Sequence, residues 1–132
     1  MARILVVDDQ KDVRSVISIV LRVNRFEVME AANAAEALRV FEEGQFDAAI
    51  VDIFLDDAIG FDLIAKMRES VPNLPVVAVS GMVSLDLAPQ IAELPNVACL
   101  KKPFKPNELI RAIAAAQDAV RPSLGAGEPL AV

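Results

Sequence analysis

Four short apolar runs punctuate this chain, and each ends in a polar side chain. ILVV (4–7) leads into Asp8 and Asp9, AAIV (48–51) into Asp52, VVAV (76–79) into Ser80, and VACL (97–100) into Lys101 and Lys102. Runs of that length, alternating with helical patterns, predict strands buried on both faces of a parallel sheet. In an open parallel α/β sheet the crevice for ligands lies at the carboxyl ends of the strands. The fold would therefore gather Asp8, Asp9, Asp52, Ser80 and Lys102 at one edge. Carboxylates, a hydroxyl and an ammonium together have the chemistry of a magnesium and phosphoryl site.

The stretches between the runs complete the pattern. Strand 1 spans about 3–7; Val13, Val16, Ile17 and Val20 then recur at helical spacing and predict a helix near 11–22 with that face in the core. FEVMEA (26–31) reads as the second strand. Asn33 with Glu36 forms a capping box, opening a helix through about Glu43 that Gly44 ends. A third strand is expected at 47–51, a loop at 52–59, a helix at 60–69 and a fourth strand at 75–79. A short helix falls within 84–94 and a fifth strand at 96–101. Pro106 suits the first turn of a last helix running to about Val120. This is a (βα)5 array. Right-handed crossovers put helices on both faces of a doubly wound sheet. The flavodoxin-like strand order 2-1-3-4-5 has its switch point between strands 1 and 3, flanked by Asp8, Asp9 and Asp52. Residues 1–120 make one domain, and the aperiodic segment 121–132 reads as a flexible tail.

Composition removes several function classes. A net charge of −6 and no Lys/Arg stripe argue against nucleic-acid binding. The chain has no histidine, which excludes Ser-His-Asp and Cys-His catalysis and His-ligated zinc. Its single cysteine, Cys99, permits no intrachain disulfide and fits a reducing cytoplasm; it reads as a small buried hydrophobe. The N-terminal MARILVVDD, with an apolar run of only four residues before two acids, does not read as a signal peptide. The longest charge-poor stretch, 75–100, carries Asp86, Glu93 and three prolines and is not a membrane span.

The motifs resemble the receiver domain of two-component response regulators over about 1–119. The matching pieces are LVVDD (5–9), Asp52 with Gly60 eight residues on, VAVSG (77–81 with Val76 before it) and KPF (102–104). The resemblance implies that Asp52 is a phosphoacceptor and that Asp9 ligates Mg²⁺ directly, Asp8 acting mainly through water. It implies that the backbone carbonyl of Phe54 completes the metal shell, Lys102 holds a phosphoryl oxygen and Ser80 hydrogen-bonds the phosphoryl group. The Lys102–Pro103 peptide is expected to be cis. The donor would be a histidine kinase or histidine phosphotransfer protein, and the output a downstream protein target.

Three features depart from the family pattern. Asp56 and Ile59 stand where proline and aspartate are usual, so the 52–59 loop carries extra charge, which either strengthens metal binding or hinders an anionic donor. Cys99 replaces the usual aromatic switch residue. Phe54 and Met82 are apolar where the family tunes water access, which predicts slow autodephosphorylation. On the first helix, Ile19 and Val23 fall off the core face; they are either scattered surface apolars or a docking patch near Val13 and Arg14. Asp47 reads as a cap for the third strand.

The leading expectation is a stand-alone receiver, monomeric or weakly dimeric, that modifies only itself. The alternatives are a phosphorylation-independent interaction module and, more remotely, a Mg²⁺-dependent phosphohydrolase. The last needs a second acid two residues past the nucleophile, where this chain has Phe54.

Overall fold

The computed structural model describes residues 2–81 and 97–120; the helix expected within 84–94, Met82 and the tail 121–132 lie outside the described residues. The elements run β1 (Arg3–Val7), α1 (Lys11–Val23), β2 (Glu27–Ala31), α2 (Ala34–Glu43), β3 (Ala48–Asp52), α3 (Gly60–Ser70), β4 (Val76–Ser80), β5 (Val97–Lys101) and α4 (Pro106–Val120). All strand pairs are parallel, and the sheet order is β2-β1-β3-β4-β5, as the motifs predict.

Alternation along the strands divides the core in two. Leu5, Val7, Ala49 and Val51 face α2 and α3, packing with Phe41, Ile64 and Met67. Ile4, Val6, Ile50, Val77 and Val79 face α1 and α4, packing with Ile17, Leu21, Leu109 and Ile113. Burial on both faces explains why β1, β3 and β4 read as continuous apolar runs. Each fully buried Leu or Ile contributes roughly 1.5–3 kcal/mol. Register then sets the site. Asp52 is the last residue of β3, pairs with Val79 and passes the chain on to Ile53, whose amide donates to the Val79 carbonyl at 2.9 Å. Asp47 ties the other end of β3 to β1, its carboxylate accepting the Arg3 amide at 2.8 Å.

The inward face of α1 differs from the expected one. Ile17, Ser18 and Leu21 are buried, Val13 and Val20 are half-buried, and Val16 is 56% exposed. The reason is rotational. Ile17 and Leu21 centre the buried stripe, and Val16 lies roughly 100° round the helix from Ile17. The polar Ser18 is drawn inward because its hydroxyl donates to Glu30 on β2 at 3.0 Å. Ile19 and Val23 are exposed, as their phase predicts.

The end of α1 carries a local strain. The Phe26 amide donates to Leu21 O and the Arg25 amide to Arg22 O, both at 3.0 Å. This Schellman closure needs a left-handed residue, and Arg25 supplies it at φ 69°. A Cβ there costs energy that glycine avoids. Arg25→Gly is therefore expected to stabilise the fold by about 0.5–1 kcal/mol, read as a higher urea midpoint with an unchanged slope.

Candidate functional site

Three strand ends and one loop deliver the site. At the end of β1, Asp8 is 1% exposed; its Oδ1 accepts the Gln10 amide at 2.8 Å. Asp9 follows, half-buried. At the end of β3, Asp52 is 5% exposed; Oδ1 accepts the Phe54 amide at 3.1 Å, and Oδ2 accepts Lys102 Nζ at 3.2 Å. One carboxylate oxygen from each of Asp8, Asp9 and Asp52 lies within 4.8 Å of the others. Lys102 follows β5. Its amide donates to the Ser80 carbonyl at 2.8 Å, and its peptide bond to Pro103 is cis. Its Nζ reaches 3.0 Å from Asp8 Oδ2 and donates to Gln10 Oε1 at 3.3 Å. Ser80 closes β4, half-buried, one residue past the Val79 that pairs with Asp52.

The electrostatics follow from burial. Desolvation raises the Asp52 pKa above its ordinary 3.8, and Asp8 adds to the rise; the Phe54 amide and the Lys102 charge oppose it. Burial works against the Lys102 charge, but Asp8 and Asp52 outweigh it and hold the ammonium above its ordinary range. Asp8 Oδ2 is buried and, among the described residues, receives no well-directed hydrogen bond; it is ion-paired with Lys102. Behind the site, Arg14 donates to the Asp8 carbonyl at 2.6 Å and to Glu30 at 3.0 Å. Glu30 also accepts the Ser18 hydroxyl, so a polar strut links the Asp8 backbone to α1 and β2.

Gly60 explains the close return of the loop. A Cβ at Gly60 would meet the Asp52 carbonyl oxygen and sit 2.8 Å from Ile53 Cα. The loop thus folds back on the strand end, with Gly60 N donating to Ile53 O at 2.6 Å and Phe54 bridging Ile59.

A family model for the response regulator receiver domain matches residues 4–114. The chain belongs to the response regulator receiver family. Among curated relatives, the DNA-binding transcriptional regulator NtrC of Bradyrhizobium sp. is 33% identical over 129 residues, covering 95% of this chain and 27% of that protein. A putative NtrX-like response regulator of Rickettsia bellii is 28% identical and matches 81% of this chain and 23% of that protein. The chain thus spans about a quarter of the length of these relatives. Among solved structures, a CheY-like receiver domain protein from Methanospirillum hungatei superposes with a TM-score of 0.83 at 28% identity, covering 93% of this chain and 98% of that one. The chain is thus the receiver domain of a two-component response regulator.

The receiver's departures from its family now have positions. Cys99 is not buried as expected. It is exposed on β5, whose residues are at most half-buried, so the thiol adds nothing to the core. Asp57 lies apart from the carboxylate cluster; it accepts the amides of Ala34 and Ala35 at the start of α2, and these hold its pKa below the ordinary value. No local motif reveals that contact, because its partners lie 23 and 22 residues away. Asp56 instead lies beside Asp9, and the proximity of that second carboxyl raises its pKa. Beside Lys102 lies an open groove of about 520 Å³ lined by Asp12, Val13, Val16, Gly81, Pro103 and Phe104. No described helix is long and apolar enough to cross a membrane.

Two outcomes follow. Gly60→Ala is expected to cost about 1–3 kcal/mol through the forced displacement of the β3 end, measured by urea unfolding. For pH, a carboxyl with a raised folded-state pKa stabilises the fold when protonated and loses that contribution as pH rises through the folded pKa. In chelator, Asp52→Asn should therefore raise the melting temperature at pH 7, and the gain should vanish below the ordinary 3.8. A pH-independent difference would contradict this account.

Proposed function

We propose that this receiver accepts a phosphoryl group on Asp52, with Mg²⁺, from a phosphohistidine on a histidine kinase or phosphotransfer protein. It acts in the cytoplasm as a monomer or weak homodimer, through contact with a downstream protein and not by binding DNA. The observation that carries this is the placement of Asp52 at a strand end, with Lys102 at 3.2 Å and the Asp8 and Asp9 carboxylates alongside.

The residues suit Mg²⁺. Three carboxylates form an all-oxygen donor set for a hard cation, and Asp8 Oδ2 has hydrogen-bonding capacity to spare. Asp9 and Asp52 would hold the ion directly and Asp8 mainly through water. The Phe54 carbonyl would be the further protein ligand; the flanking bonds of its bridge to Ile59 turn its own amide and carbonyl away from that partner, and the amide meets Asp52. Bound there, the ion supplies positive charge against the phosphoryl oxygens.

The chain's own groups perform the transfer. An Asp52 oxygen attacks phosphorus in line; the P–N bond to imidazole breaks, the imidazole keeps the electron pair, and an acyl phosphate forms. Lys102 shifts from the carboxylates to a phosphoryl oxygen as a compact point charge. Ser80 donates its hydroxyl to the same group. Water later cleaves the acyl phosphate, releasing inorganic phosphate and the free carboxylate. The Phe54 side chain, on a residue 45% exposed, has no polar atom to orient that water, which supports slow loss of the group. The domain thus catalyses only its own modification.

The donor's docking surface is the α1 stripe beside the site, where Val16 and Ile19 are 56% and 60% exposed and Val13 and Val16 line the groove next to Lys102.

Intact mass after incubation with Mg²⁺ and acetyl phosphate tests the first claim. One added phosphoryl group is expected, absent in Asp52→Asn and without Mg²⁺, and persisting on a scale of hours. Failure of a folded wild type to label favours the phosphorylation-independent interaction module instead. Combining Val16→Asp with Ile19→Asp should slow transfer from a phosphorylated partner by about tenfold while acetyl phosphate labelling stays at the wild-type rate. Equal slowing of both would place the stripe outside partner recognition.

A further inference from the structure

The turn that follows Asp52 is fastened at both ends. At its base, Gly60 N donates to Ile53 O and Phe54 bridges Ile59; nearer its tip, Leu55 N donates to Ala58 O at 3.2 Å. Asp56 and Asp57 form the tip. Asp57 reaches across to α2, where Oδ1 accepts the Ala34 amide at 2.9 Å and Oδ2 the Ala35 amide at 3.1 Å.

That contact completes the start of α2. A helix leaves its first four amides without intrahelical partners unless a cap supplies them. Here Glu36 N goes to Asn33 Oδ1 at 2.8 Å, and the first intrahelical bond runs from Ala37 N to Asn33 O at 3.0 Å. Among the described residues, the amides of Ala34 and Ala35 are met by Asp57. The bonds are charge-assisted, and the carboxylate faces the positive end of the helix. Asp57 is therefore an anchor with defined direction, although it is exposed.

The anchor fixes its neighbours. Asp56 is held next to Asp9, a juxtaposition of like groups that repel unless something restrains them. Three residues before the anchor, Phe54 presents its amide to Asp52 Oδ1.

We propose that Asp57 is a positioning residue for the carboxylate site. By fastening the tip of the 53–59 turn to the start of α2, it holds the Asp56 carboxylate and the Phe54 backbone against Asp9 and Asp52 and so strengthens divalent-cation binding. The inference rests on the reading of Asp8, Asp9 and Asp52 as a cation site.

Calorimetric Mg²⁺ titration of the unphosphorylated chain tests it, alongside thermal unfolding, with Asp57→Ala, Asp57→Asn and Asn33→Ala. Asn33→Ala removes another cap from the same helix without touching the turn. Asp57→Ala should weaken Mg²⁺ binding about three- to tenfold, since ligand charge and site rigidity set such affinities. Asp57→Asn, which keeps one acceptor, should fall between, and decides the matter if the alanine variant fails to fold. Asn33→Ala should lower the melting temperature and leave Mg²⁺ affinity at the wild-type value. Wild-type affinity in both Asp57 variants, or an equal loss in Asn33→Ala, would reduce Asp57 to a helix cap and overturn the proposal alone. A wild type that binds no Mg²⁺ would overturn the cation-site reading and the proposal with it.

Discussion

The ion pair of Lys102 with both Asp8 and Asp52 is the interaction on which the site depends. Two carboxylates at 1% and 5% exposure share one sheet edge, and burying charge is costly unless it is paired. Unit charges about 4 Å apart at an effective dielectric of about 20 interact by ~4 kcal/mol. The ammonium, 3.0 and 3.2 Å from the two acids, offsets their mutual repulsion. With Asp9 included, the cluster retains a net charge of minus two, which a divalent cation balances. Lys102 is placed by backbone, through its amide on the Ser80 carbonyl, so the counter-charge is set by the pairing of β4 with β5.

The same logic runs through the rest of the fold. Parallel strands buried on both faces end in line, and the residue after each apolar run meets its neighbours at the sheet edge. The core therefore specifies the site as firmly as it specifies the sheet. The polar strut from Arg14 to Glu30 and Ser18 extends that rigidity behind Asp8, tying the first strand end to α1 and β2.

What the sequence made legible is the part governed by short-range pattern. Apolar runs located the strands, order and handedness rules gave the topology, and the polar residues after the runs pointed to Asp8, Asp9, Asp52 and Ser80, while the position before Pro103 singled out Lys102 over Lys101. The remainder depends on contacts between distant segments. Val16 carries the same spacing signal as Ile17, but Ser18 is drawn inward by Glu30, a partner 12 residues away on another element. Cys99 reads as core because its run matches those of β3 and β4, yet β5 is the edge strand, and an edge strand leaves residues uncovered. Asp57 looks like a loop charge because its partners are backbone amides of a different helix, which no side-chain motif encodes. Arg25 carries no signal for a left-handed turn, since glycine or asparagine is the usual mark.

The stripe of Val16, Ile19 and Val23 has a thermodynamic consequence. These side chains are 56%, 60% and 76% exposed, so they meet water in the free receiver. Any association that covers them releases that hydration and carries a negative heat-capacity change. Its enthalpy then becomes more favourable on warming, while recognition of the acidic pocket next to it responds mainly to ionic strength. The receiver thus presents two adjoining surfaces whose contributions to one encounter separate along different axes, temperature for the helix and salt for the pocket.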